Sequence, residues 1–225
     1  MPAPREASLK EFRVGYVIDD KIAPPTPEVR ALLEGMIAVL DRAGARLKAG
    51  WPCGFQFREL IDNYTFHMRA MRSAAGPSEG PASESATAAG DLSGEAILFT
   101  SWLRENRRRL AFRDLWQNYF RDIDVFLSPV AFVPAFLHDH SEPRQNRTLD
   151  VSAGRRDYMD LRNWIAIASL TGRPATVAPI GVTREGLPVG IQVMGPFGED
   201  ATPIQFAELL SGETGGFQLP AGYEV

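Results

Sequence analysis

Apolar and polar positions alternate most clearly between residues 175 and 194. Two apolar runs of strand length, ATVAPIGV (175–182) and VGIQVM (189–194), flank the polar turn TREG (183–186). Gly186 supplies the residue that a tight turn with positive φ requires. Side chains alternate along a strand, so Val189, Ile191 and Val193 share one face, and Gly190, Gln192 and Met194 share the other. Near the start of the chain, FRVGYVI (12–18) reads as another strand, bounded by Asp19 and Asp20. Thr26 then stands as an N-cap with Pro27 at the first helical position. Val29, Leu32, Leu33, Met36, Ile37 and Leu40 recur at helical spacing until Gly44.

A strand followed by a one-sided amphipathic helix is the usual unit of an α/β sheet. The rest of the pattern continues it. A short strand is expected at 45–48, a helix at 57–71 and a helix at 103–123 carrying Leu110, Leu115, Trp116, Tyr119 and Phe120. DVFLSPV (124–130) reads as a buried strand broken by Pro129. Loop is expected to about residue 156, then a helix at 160–169, and a last helix from Thr202 and Pro203 that carries Phe206, Leu209 and Leu210. Residues 73–94 differ in kind. They hold no aromatic and one large aliphatic, Leu92, too little apolar surface to offset ordering entropy. The expected fold class is α/β, a mixed β-sheet flanked by helices and interrupted by this low-complexity loop.

Composition adds exclusions. The 225 residues are 44% hydrophobic and 23% charged, an ordinary globular balance with enough chain for a sizeable core. A formal net charge of −4 gives no electrostatic reason to expect nucleic acid or an anionic membrane as partner. The basic cluster Arg107, Arg108 and Arg109 fits a solvated helix face. Cys53 is the single cysteine, so no disulfide forms within the chain. The first twenty residues lack the apolar core of a signal peptide, and no run reaches the roughly 18 to 20 apolar residues of a membrane span. The expected location is the cytoplasm.

Candidate chemistry is sparse. His138, Asp139 and His140 form the densest group of metal-type ligands, but no third ligand follows, and a loop with polar side chains is the expected reading. His67 falls in a helical run. Cys53 has no identifiable histidine partner, and Asp19 and Asp20 suit a turn. Neither GxGxxG nor GxxxxGK[ST] nor GxSxG occurs. No metal, no cofactor and no catalytic residue is expected from the residues alone.

The ordered pattern from residue 163 to 210, NWIAIASLTGRPATVAPIGVTREGLPVGIQVMGPFGEDATPIQFAELL, resembles the C-terminal region of amidase signature enzymes, serine hydrolases of amide carbon–nitrogen bonds. It contains G-x-P-A-x-x-x-P-x-G, then G-L-P-V-G-x-Q, then G-P and a helix. FRVGYVIDD with PEVRALLEGMIAVLDRAGARL (27–47), and DVFLSPVAFVPAFLHDH (124–140), agree with the same region in order and spacing. The resemblance implies an N-terminal tail at 1–8 and, over 9–225, the C-terminal portion of an amidase-type domain. It also implies a Ser–cis-Ser–Lys triad, in which one serine attacks the carbonyl, backbone N–H groups hold the oxyanion, and a neutral lysine acts as base through the second serine. In the family those residues lie in the N-terminal half, in a GGSSGGS-like loop and an upstream lysine. Here no two serines are adjacent, and Lys10, Lys21 and Lys48 are the only lysines.

The expectation is therefore a C–N hydrolase region inactive alone. Its partner would be a chain carrying the N-terminal amidase half, or a second copy of itself, and its substrate a small-molecule amide once complemented. The alternative is a non-catalytic homologue that serves as a binding module or has no function. By resemblance, Pro129, Ala131, Phe132 and Trp164 line the substrate side, and Gln192 is expected either to make a hydrogen bond inside the sheet or to support the site.

Overall fold

In the computed structural model, which describes residues 1–74, 97–151 and 154–219, the expected strand–helix–strand unit is present. β1 (Arg13–Tyr16) leads through α1 (Pro27–Arg42) to β2 (Arg46–Ala49), which lies parallel to it. Thr26 and Pro27 open α1 at the expected positions, but the Thr26 hydroxyl caps nothing. The Thr26 N–H instead donates to the Phe132 carbonyl at 2.7 Å. The chain continues through α2 (Phe57–Ala74), α3 (Phe99–Tyr119) and β3 (Val125–Pro129). Next come the hairpin β4 (Thr148–Val151) and β5 (Gly154–Asp157), α4 (Ala166–Thr171), the hairpin β6 (Ala175–Val182) and β7 (Pro188–Met194), and α5 (Ala201–Thr214).

The main sheet has the order β2-β1-β3-β7-β6. β1 is parallel to β2 and β3, while β7 is antiparallel to β3 and β6. This is the mixed, helix-flanked α/β sheet expected. Gly186 takes the positive φ of the β6–β7 turn, +81°.

Alternation sorts the core into two layers. On one face Val14, Val125, Leu127, Val189, Ile191 and Val193 pack under α1 and α5, so the predicted face of β7 is buried. Phe12 meets Phe206 edge-on there, with ring centroids 5.1 Å apart. On the other face Phe126 and Met194 pack under α2, α3 and α4 in an aromatic layer built around Trp116 and Trp164. Burial of each such side chain contributes about 1.5–3 kcal/mol. Gly15 lies on this aromatic face, where a methyl group would collide with the Tyr119 phenol, so the residue lets α3 sit close to β1.

Several expectations need adjustment. α2 runs on to Ala74, past the predicted start of the low-complexity segment, whose remainder lies outside the described residues. α3 begins at Phe99, earlier than expected, because Phe99 and Trp102 are exposed and break the inward spacing that marks the rest of the helix. The expected loop before residue 156 contains the β4–β5 hairpin. Leu149 is the only buried residue among the described residues of the hairpin, and cross-strand pairs such as Arg155 Nε to Asp150 Oδ1 at 3.1 Å do the pairing. The helix expected at 160–169 divides into a short 3-10 turn, Tyr158–Arg162, and α4, which ends at Gly172.

Charged side chains tie the periphery together. Within residues 1–8, Arg5 donates to Glu199 at 2.6 and 2.8 Å, to the Phe120 carbonyl at 2.7 Å and to Asp124 at 3.4 Å. Arg173 is a contrasting case: a buried guanidinium with no carboxylate within 4 Å among the described residues. It donates to Gln117 Oε1 and the Arg113 carbonyl, both at 2.7 Å, and its Nε has no partner. Burial, reinforced by Arg113, pulls its pKa down to about 10. A buried charge that costs this much solvation gains little by staying. Arg173→Met is expected to leave the chain as stable as before or more stable by about 1 kcal/mol. Urea unfolding at neutral pH tests this, and a loss of more than about 2 kcal/mol would show that the two hydrogen bonds outweigh the desolvation.

Candidate functional site

The parallel strands β1, β2 and β3 all end on the same side of the sheet, the side where ligands sit in open α/β sheets. The segments leaving those ends bring Asp20, Ala23, Trp51 and Phe132 together, and the turn before α4 adds Trp164. Asp20 accepts the Ile22 N–H at 2.9 Å and the Trp51 indole N–H at 2.8 Å. Trp51 in turn stacks on Trp164, with centroids 6.0 Å apart and planes 19° apart. The Trp164 indole N–H donates to the Ala23 carbonyl at 3.0 Å.

Below this aromatic stack is a buried polar pair. Gln192 of β7 and Ser128 of β3 are register partners. The Gln192 amide donates to Ser128 Oγ at 3.0 Å, with a longer contact of 3.5 Å to the Trp164 carbonyl. Ser128 Oγ donates to the Pro129 carbonyl at 3.3 Å. Gln192 thus makes the hydrogen bond inside the sheet that its position suggests. The serine hydroxyl faces an amide donor and not a base, so nothing here activates it as a nucleophile.

Pro129, Phe132 and Trp164 are buried around this corner, and Ala131 is partly exposed. Phe132 and Trp164 meet through the same short segment: Trp164 holds the Ala23 carbonyl and the Phe132 carbonyl holds Thr26. The Arg156 guanidinium lies 3.9 Å above the Phe132 ring. Sequence reasoning missed Ser128 and the Asp20–Trp51 bond. Ser128 left one signal, a polar residue at an inward position of an otherwise apolar strand.

The remaining candidates lie elsewhere. The His138 and His140 rings are 5.8 Å apart, as side chains two positions apart on extended backbone share one side. Among the described residues, no three His, Cys, Asp or Glu side chains gather as a metal site would require. Cys53 is exposed, and Asp19 pairs with Arg30 at 2.7 Å.

Beyond Gln192 the same sheet face runs on to Gly190 and Val177, and it is open. A methyl at Gly190 would stand 2.6 Å from Val177 Cγ1, while Val177 itself is 54% exposed. No helix of the described residues is long and apolar enough to cross a membrane.

The profile of the amidase family matches residues 91–203. Over 102 residues the chain is 33% identical to the fatty acid amide hydrolase of Arabidopsis thaliana, covering 45% of this chain and 16% of that protein. Over 100 residues it is 34% identical to a glutamyl-tRNA(Gln) amidotransferase subunit of Myxococcus xanthus, covering 44% of this chain and 18% of that protein. The structure superposes on a bacterial aryl acylamidase of the amidase signature family with a TM-score of 0.66 and 15% identity, over 92% of this chain and 44% of the other. At that identity the likeness is one of fold. The chain spans less than half the length of the enzyme structure it matches.

Proposed function

Since this chain belongs to the amidase family, we propose that it forms the wall and sheet support of a carbon–nitrogen hydrolase acting on small amides, and that it turns over no amide alone. One observation carries this reading. The polar group at the carboxyl ends of the strands is closed on itself, with Ser128 held between Gln192 and the Pro129 carbonyl. A hydroxyl so placed orients its surroundings and does not attack a carbonyl. All three lysines, Lys10, Lys21 and Lys48, are exposed, whereas the lysine of the family's triad is a buried one.

The reacting groups then come from a segment bearing the Ser–cis-Ser–Lys triad, on another chain or elsewhere along the same one. That segment docks on the open face beside Val177 and Gly190, so that Pro129, Ala131, Phe132 and Trp164 form the substrate side. The Myxococcus relative is by name one component of an amidotransferase, which supports assembly with other chains, and the exposed lone thiol of Cys53 suits the cytoplasm. The test is an assay of the purified chain against aryl and aliphatic amides, alone and with a triad-bearing family segment added. No turnover alone, and both turnover and a larger species in size exclusion after mixing, are expected. Turnover by the chain alone refutes the reading, as does failure to associate with the added segment.

A further inference from the structure

The outer ends of α2 and α3 enclose a groove of about 840 Å³ that the site above does not use. Its two walls follow from helical periodicity. Positions 64, 67, 68 and 71 fall on one face of α2, and positions 99, 102, 106 and 109 fall on one face of α3. Ser169 and Leu170 of α4 close it on a third side. Deeper in the pair, Asn63 bridges the helices by donating to the Glu105 carbonyl at 2.9 Å, and below that Leu60 and Phe112 belong to the aromatic core.

The groove is apolar along Met68, Met71, Phe99 and Trp102. Phe99 stacks on Trp102 with planes 8° apart, yet Phe99 is 70% exposed and Met71 66% exposed. Its polar end is different. Arg109 Nε donates to Asn106 Oδ1 at 3.1 Å, and among the described residues no carboxylate lies within 4 Å of its guanidinium. His67 presents a buried Nε2 with no partner. Burial, with the neighbouring Arg109 charge, lowers the His67 pKa against the opposing pull of Glu105. Glu105, the nearest acid on α3, is already engaged by Asn63, Arg104 and Arg108.

The volume lies in the range of small-ligand sites, and the lining has the character of one, mostly apolar with a few polar groups at one end. A neutral ligand would desolvate the guanidinium without compensation, whereas a carboxylate matches its planar fork. We propose that this groove binds a small amphipathic carboxylate, with the head group on Arg109 and Asn106 and the hydrocarbon against Met68, Met71, Phe99 and Trp102. The site is built from this chain's residues alone, so it stands or falls separately from the hydrolase reading.

The experiment is isothermal titration of the unaltered chain with dodecanoate and with dodecanol, repeated on Arg109→Gln and Trp102→Ala after circular dichroism shows both variants folded. Saturable binding of dodecanoate is expected, with dodecanol weaker by about tenfold or more. Arg109→Gln removes most of that difference, and Trp102→Ala weakens both ligands. Absence of saturable binding, equal affinity for the two ligands on the unaltered chain, or an Arg109→Gln variant that still prefers dodecanoate as strongly overturns the proposal.

Discussion

Trp164→Ala is expected to lower folding stability by about 3–5 kcal/mol, a large share of the roughly 5–15 kcal/mol available to a domain. The indole is fully buried and joins three separate segments. It stacks on Trp51 and packs against Phe57, with centroids 5.1 Å apart, and its N–H holds the Ala23 carbonyl. Truncation leaves a cavity in the aromatic layer and an orphaned carbonyl in the segment from β1 to α1. Trp164→Phe separates the two losses. It refills much of the cavity but restores no donor, so it should cost about 1–3 kcal/mol. Urea unfolding followed by circular dichroism measures both. An alanine variant within about 1 kcal/mol of the parent would show that the corner is held together by something else.

The second large effect is expected at Asp124. Its carboxylate is 1% exposed and is contacted by Arg13 N–H at 2.9 Å, Arg13 Nε at 3.0 Å, Arg13 Nη2 at 2.6 Å and Arg5 Nη1 at 3.4 Å. Burial by itself would push this carboxyl up. The hydrogen bonds from Arg13 and Arg5, with their positive charge, prevail and hold it below the usual aspartate range. The folded state therefore binds the proton less readily than the unfolded state. The contribution is complete above the ordinary aspartate pKa and drains away as pH falls through the depressed one.

Asp124→Asn keeps the shape but turns an amide donor toward arginine donors. It should cost about 2–3 kcal/mol at pH 7, with the gap to the parent closing as the medium becomes acidic. Denaturation curves from neutral to acid pH decide it. A gap that stays constant into strong acid would mean that packing, and not the carboxylate charge, was lost.

The parts of the molecule legible in the chain are those where one physical rule acted alone. Val29, Leu33, Met36 and Leu40 mark the buried stripe of α1, and the alternation through Val189, Ile191 and Val193 marks the inner face of β7. Where rules conflict, the reading fails. Only Leu149 is buried in β4–β5, and charge pairs there resemble a solvated loop. Phe99 and Trp102 are helical but exposed, so apolar spacing could not locate the start of α3. The polar corner was half visible: Gln192 stands out in an apolar strand, but its bond to Ser128 spans 64 positions and depends on β3 lying beside β7. Asp20 and Trp51, 31 positions apart, pose the same difficulty. The groove between α2 and α3 has no local signature, because its walls come from two helices whose relative placement no periodicity encodes.

The place of β3 in the sheet has a consequence for how the chain reaches this structure. β2–β1 and β6–β7 are each formed from segments near one another in sequence, whereas β3 joins β1 across roughly a hundred residues and β7 across about seventy. Without its five residues the sheet would separate into two local pieces, each with one half of the apolar face under α1 and α5. Cooperativity therefore passes through Val125 to Pro129. This short strand closes two long loops at once, and contacts of that range are the slow ones to form.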